Sequence, residues 1–248
     1  MAKSWRLHLT SGMFTSERID MKAILIGFGL LASYALTAQT KEFFKETAFN
    51  GQRIKIEADL ANSITLSESS NNLFQSTVWY NLNDGELNEA VEVNLSEKNG
   101  SIRLKVKLNE RKARSKNGSD CKDESASWWG DEWGGRVCAD IQIEIKIPSG
   151  ARIEIETVIA DIALQGDYEE VDVKSVTGNI DLDWPEEKGV QLEMKTVNGA
   201  IFTNYNFGPS GKYDLPLISA HEFEVEWGDA RHYVRLETVT SDIYLRRR

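Results

Sequence analysis

The sequence predicts an all-β fold, in which N-terminal antiparallel strands lead into a short β-solenoid (parallel β-helix-like) of four or five units. Three observations carry that expectation. Nearly every stretch after residue 50 alternates apolar and polar residues with period two, as a strand with one buried face does. Outside the N-terminal leader no segment shows a helical period. From residue 152 a short pattern recurs, each copy made of a strand, a corner of small or turn-forming residues, and a second strand.

The leader comes first. Met21-Lys22 is followed by an apolar run of 13 residues, Ala23 to Ala35, and then by Leu36-Thr37-Ala38-Gln39. A short positive start, an apolar stretch of this length and small residues at its end make a secretory signal peptide, with cleavage after Ala38 or Ala35. The run is too short to span a bilayer comfortably, which takes about 20 apolar residues, so an uncleaved membrane anchor is the lesser alternative. Residues 1–20 are polar and patternless, so Met21 reads as the natural start. Residues 1–38 are therefore expected to be a leader and 39–248 a single all-β domain, exported to a periplasm, a cell surface or the medium. With the leader removed the net charge moves from −10 to −12. So acidic a chain lacks the basic footprint that a nucleic-acid binder needs.

The domain opens with the strand pair Ile54-Lys-Ile56 and Ser63-Ile64-Thr-Leu66. Two further strands, Ile102-Arg-Leu-Lys-Val-Lys-Leu108 and Ile141-Gln-Ile-Glu-Ile-Lys-Ile147, carry complementary outward charges suited to cross-strand pairing. Pro148-Ser149-Gly150 then turns the chain. Between these two strands lies an insertion at 112–136, polar and aromatic, centred on Ser127-Trp128-Trp129-Gly130-Asp131-Glu132-Trp133. The chain's two cysteines, Cys121 and Cys138, bracket that centre. In an exported protein they read as a disulfide, worth roughly 3 kcal/mol for a loop of this size. Free thiols or half a zinc site are the alternatives, with only His221 and His232 to complete the latter. Long insertions in compact domains are commonly functional. Trp128, Trp129 and Trp133 could stack on sugar rings while Asp131 and Glu132 accept hydroxyl hydrogen bonds, which makes the five a candidate ligand contact. The competing expectation is that the tryptophans simply cover the sheet.

The repeat follows. Around Val158, Val176, Val197 and Val239, apolar residues recur five and three positions before and four and six after, in 15 of 16 cases; Thr203 is the exception. The strings Thr157-Val-Ile-Ala-Asp-Ile, Ser175-Val-Thr-Gly-Asn-Ile, Thr196-Val-Asn-Gly-Ala-Ile and Thr238-Val-Thr-Ser-Asp-Ile mark the corners. The interval from Val197 to Val239 is twice the usual one, so a degenerate unit is expected near Ile218, using Tyr213 and Leu215. Stacked β-coils produce such periods, with a β-sandwich as the competitor. The unit Val234–Leu245 is expected to end the stack, Arg246–Arg248 discouraging edge pairing.

The Ile54-Lys-Ile56-Glu57 start, the strand ending Ile147-Pro148-Ser149-Gly150 and units such as Val171-Asp-Val-Lys-Ser-Val-Thr-Gly-Asn-Ile-Asp-Leu182 together resemble the bacterial putative-adhesin family, envelope proteins rich in β-coils and related to toast-rack domains. The resemblance covers residues 50–247 and rests on pattern. It implies a non-enzymatic surface or periplasmic role and supplies no catalytic residues; the insertion at 112–136 lies outside the family's pattern.

Other candidates are weaker. Asp181 and Asp183, and Glu222, Glu224 and Glu226, have the spacing of a strand's solvent face. Asp123, Glu124, Asp131 and Glu132 could offer oxygens to calcium, but no EF-hand or nonapeptide pattern is present. His221 and His232 are expected at strand edges. No nucleophile elbow, phosphate loop, dinucleotide fingerprint or zinc-protease motif occurs. The expectation is therefore a non-enzyme with no cofactor and no metal, whose partner is a surface protein or glycan. A polysaccharide-acting enzyme, marked by an acidic groove, is the alternative, and an envelope-stress sensor a third.

Overall fold

A computed structural model of the chain describes residues 40–113, 127–129, 137–207, 212–213 and 221–248. All of these belong to one compact unit, Ala38–Arg248. The expected leader lies outside the described residues. Among those described, no helix is long and apolar enough to cross a membrane.

The structure is nearly all β. The chain first makes β1 (Lys41–Ala48), β2 (Arg53–Glu68) and β3 (Leu73–Leu82), then β4 (Val91–Lys98), β5 (Ser101–Leu108) and a one-turn helix α1 (Glu110–Ala113). After β6 (Ser127–Trp129) come β7 (Val137–Ile147), β8 (Ala151–Gln165), β9 (Tyr168–Thr177) and β10 (Ile180–Trp184). The rest is β11 (Val190–Thr196), β12 (Ile201–Thr203), β13 (Lys212–Tyr213), β14 (His221–Trp227), β15 (His232–Thr238) and β16 (Ile243–Arg247).

Two long strands organise the others. The first half of β2 pairs in parallel with β5 and with the first half of β8, which continues in parallel through β9, β15 and β11. The second half of β2 pairs in parallel with β7 and with the second half of β8, followed in parallel by β10, β16 and β12. Antiparallel strands finish these two ladders: β4 on β5 and β14 on β11 in the first, β3 on β7 and β1 on β3 in the second. Inward side chains from both ladders, such as Ile54, Ile153, Val171 and Val234 from one and Leu66, Ile143, Leu182 and Leu245 from the other, share a single core.

The order of the strands differs from the expected one. β15 and β16 do not end the stack; they lie between β9–β10 and β11–β12. The long interval before Val239 is not a further coil, because β14 returns antiparallel along β11, its Phe223 and Val225 buried against Met194 and Leu192. Ile218 and Leu215 lie outside the described residues. The terminal arginines are consequently not a block on a free edge: Arg246 pairs with Asp181 at 2.6 Å and Arg247 with Glu186 at 3.1 Å.

The corner strings have a physical basis in three interlocking contacts. Thr157, Ser175, Thr196 and Thr238 are buried. Three of them donate to a neighbouring crossing: Thr157 to Ala58 O (2.6 Å), Thr196 to Ser241 O (2.8 Å) and Thr238 to Gly178 O (3.5 Å). Carboxylate or amide oxygens then form rungs: Asp161 accepts from Asn179 N (2.8 Å), Asn179 from Asp242 N (3.2 Å) and Asp242 from Ala200 N (2.8 Å). The small residue before each rung admits the next corner, since a Cβ on Gly199 would lie 2.0 Å from Ser241 O. Replacing Thr196 by Val strands the Ser241 carbonyl in the interior, so Thr196→Val is expected to lower stability by about 1–2 kcal/mol in a denaturant titration, with an unchanged m-value.

Aromatic rings close the region around β10 and β14. Tyr205 stacks on Phe207 at 5.2 Å, and Phe207 meets Phe223 and Trp227. The Tyr205 hydroxyl donates to the carbonyl of Trp184. Burial, together with Glu186 and Glu187, pushes the Tyr205 phenol up to about 12. The folded state thus holds this proton more tightly than the unfolded chain, whose tyrosines titrate near 10. The stability it contributes is complete below about pH 10 and is lost as pH rises towards 12. Tyr205→Phe should flatten the decline in stability across that window.

Candidate interaction surface

The two ladders present different outer faces. On the first, charged residues face one another strand by strand. Lys55 reaches Glu154 at 2.7 Å, Lys105 reaches Glu57 at 3.0 Å, Arg53 reaches Glu170 at 2.8 Å, and Arg235 reaches Glu193 at 3.6 Å. Burial acts against the charge of Glu57, but Lys105, Arg103 and Lys55 more than offset it and hold the carboxyl below its ordinary value. Asp172, amid the same rows, is pushed up, by burial first and by Glu154 and Glu237 next, against Lys174 and Arg235. Its folded state therefore favours the proton, so its cost rises once the pH exceeds the ordinary carboxylate value. Asp172→Asn should leave stability unchanged or slightly raised at pH 7, measured by thermal melting.

The edge where the chain passes from one ladder to the other carries two features. Val158, Val176, Val239 and Val197 stand in register along it: Thr157 and Ile159 pair with Ser175 and Thr177, Val239 N donates to Val176 O at 3.3 Å, and Asn198 N donates to Val239 O at 2.7 Å. These repeat anchors are not core residues. They are 37–44% exposed, an apolar row in the position where the sequence repeats most faithfully. The row continues to Asp59, opposite Lys107 at 3.7 Å, and there the insertion begins. The other crossings along this edge, from β9 to β10, β11 to β12 and β15 to β16, take two to four residues, whereas 28 separate Leu108 from Val137.

The roots of the insertion are firmly held. Asn109 Oδ1 accepts from Lys112 N at 3.2 Å and Asn109 Nδ2 donates to Glu92 at 2.6 Å. On the returning side Asn83 Oδ1 accepts from Cys138 N at 2.7 Å, and buried Asn88 accepts from Leu82 N at 2.8 Å. β6 pairs antiparallel with β7, placing the backbone of Trp128 opposite Cys138 and that of Trp129 opposite Val137. Cys121, Asp123, Glu124, Asp131, Glu132 and Trp133 lie outside the described residues.

The strand acids fall where their spacing places them, on the outer face. Carboxylate oxygens of Glu193, Glu222 and Glu224 come within 4.8 Å of one another. Glu193 and Glu224 border a groove of about 540 Å³ lined also by Gln191, Glu226 and Tyr233, which is the feature expected of the enzyme alternative. Two of the three acids are already engaged: Lys195 reaches Glu222 at 3.5 Å, while Tyr233 donates to Glu193 at 3.0 Å with Arg235 3.6 Å away. His221 opens β14 and His232 opens β15, the latter packed edge-on against Trp184 at 6.1 Å. The sequence reading passed over Phe44 and Trp79. Their alternation was visible, but not that β1 and β3 would lie at an open margin of the sheet.

No protein-family model matches the chain, and no curated protein matches it. Among solved structures, a putative cell adhesion protein from Clostridium sporogenes covers 85% of this chain and 100% of its own, with a TM-score of 0.50 and 12% identity. A putative adhesin from Bacteroides fragilis covers 84% and 99% with a TM-score of 0.34 and 10% identity. The first shares this fold.

Proposed function

We propose that this protein is an exported, non-catalytic interaction module of the adhesin type, acting in the envelope, at the cell surface or in the medium. The single observation that carries the reading is the insertion between β5 and β7: closing the fold requires a few residues at that crossing, and the chain spends 28 there. Trp128, Trp129, Asp131, Glu132 and Trp133 form its contact set, pinned by a Cys121–Cys138 disulfide. The valine row beside it supports the same edge, since exposed apolar rows commonly mark interfaces. The body acts as a rigid solenoid-like mount, a reading supported by the parallel ladders and by the hydroxyl and Asp/Asn rungs that tie each crossing to the next. Residues 1–38 direct export and are removed.

The enzyme reading keeps one favourable observation, the groove beside Glu193 and Glu224, and one experiment separates the two. The mature protein is incubated with purified envelope fractions, then assayed for co-sedimentation and for release of reducing sugars. Sedimentation without release is expected. Release that is lost in Glu224→Gln would establish the enzyme instead.

A further inference from the structure

The outer face of the second ladder carries a second aromatic site, at the margin formed by β1, β3 and β7. Phe44 stands opposite Thr77, which stands opposite Glu144; one step along, Glu42 stands opposite Trp79, which stands opposite Gln142. Paired residues in antiparallel strands project from the same face, so Phe44 and Trp79 are diagonal neighbours on it. Phe44 is 52% exposed, the most exposed large apolar side chain among the described residues, and Trp79 is partly exposed. Neither ring stacks on another described ring. The contrast is Phe202, at the far margin of the same face, whose ring lies against Tyr244 at 5.1 Å and 13°.

The polar side chains around the two rings are carboxylates and amides with hydrogen-bonding capacity to spare. Glu42 and Glu144 have no partner among the described residues. Gln75 donates to Glu46 at 3.2 Å and Gln142 to Asp140 at 3.2 Å, leaving their amide oxygens open. On this face Glu42, Glu46, Asp140 and Glu144 outnumber Lys146, while Lys41 and Lys45 project from the opposite face of β1, on either side of Phe43. The face is therefore net acidic and disfavours an anionic partner. Flat apolar rings set among carboxylate acceptors and amides complement a polymer that is apolar on its ring faces, rich in hydroxyls at its rim, and free of anionic groups.

We infer that Phe44 and Trp79 form a binding platform for a neutral glycan chain, with Glu42, Gln142 and Glu144 receiving its hydroxyls. The inference rests on the adhesin reading and names the chemistry of its partner. It also adds a surface distinct from the insertion, although the backbone of Trp128 pairs with β7 only a few residues from Gln142. Carbohydrate contacts of this kind are individually weak, and a single ring can dominate them.

The test is affinity electrophoresis through gels containing dextran, xylan or galactomannan, with heparin as the anionic comparison. The native protein should be retarded by at least one neutral polysaccharide and not by heparin. Phe44→Ala and Trp79→Ala should each weaken that retardation about tenfold, whereas Phe202→Ala should not. Phe44 is exposed enough for its variant to fold normally, which thermal melting checks. The inference is overturned if no neutral polysaccharide retards the native protein, if heparin alone does, or if both variants migrate as the native protein does. Co-sedimentation with envelope fractions that survives in Phe44→Ala and Trp79→Ala would overturn this platform while leaving the adhesin reading intact.

Discussion

Gly178→Val should be the most damaging single substitution in the described fold. Gly178 occupies a corner with φ +123°, a conformation strained for any residue with a side chain, and a Cβ built there would lie 1.9 Å from Ala160 O. That atom is backbone, and it is held in place because Ile162 N and Asn179 O bond the same two crossings at 2.8 Å. The clash cannot be relieved by turning a side chain; the two strands must separate, breaking the rung from Asn179 N to Asp161. A loss of about 4 kcal/mol or more is expected, a large share of the whole stability of a domain. In thermal melting this is a fall of at least roughly 10 °C for a chain of this size. Gly100→Ala is the matched comparison, since Gly100 also has positive φ (+72°) but nothing lies within 4 Å of its Cβ position. It should cost only about 1 kcal/mol, the price of the backbone conformation alone. Equal effects in the two variants would mean that the corners are not packed as described.

The corner strings were legible in the sequence because each of their positions answers to a local demand. The hydroxyl needs a neighbouring carbonyl, the small residue needs room, and the isoleucine resumes the core. Period two was equally legible, since it follows from strand geometry and one-sided burial. The spatial order of the units was not. Val234 pairs as well with Val171 as any unit in sequence would, because all the units share one pattern of inward Val, Ile and Leu. Only long-range closure, with β14 already occupying the far side of β11, decides where β15 goes. The exposure of the valine row was not legible for a related reason: a recurring apolar residue reads the same whether it turns inward or stands at a corner. The candidate contacts were legible as chemistry, and their surroundings were not. Nothing local to Phe44 or Trp79 shows that β1 and β3 would extend the second ladder beyond β7.

Loss of the three insertion tryptophans should have the largest functional effect. Interaction energy concentrates in a few aromatic anchors, and rings on a tethered segment contribute more than the polar side chains that flank them. Replacing Trp128, Trp129 and Trp133 together by Ala removes all three from the contact set while leaving both ladders, the valine row and the aromatic closure around Tyr205 untouched. The variant should keep the β-rich circular dichroism spectrum and the melting temperature of the native protein within a few degrees. Reduction of the proposed Cys121–Cys138 disulfide should weaken the contact less, because it loosens the segment without removing its rings. The most direct measurement is the binding isotherm of native and triple-variant protein on intact cells and on envelope fractions under the same conditions. A loss of affinity of about 100-fold with an unchanged fold is the expected result; equal isotherms would contradict the assignment of the insertion as the contact surface.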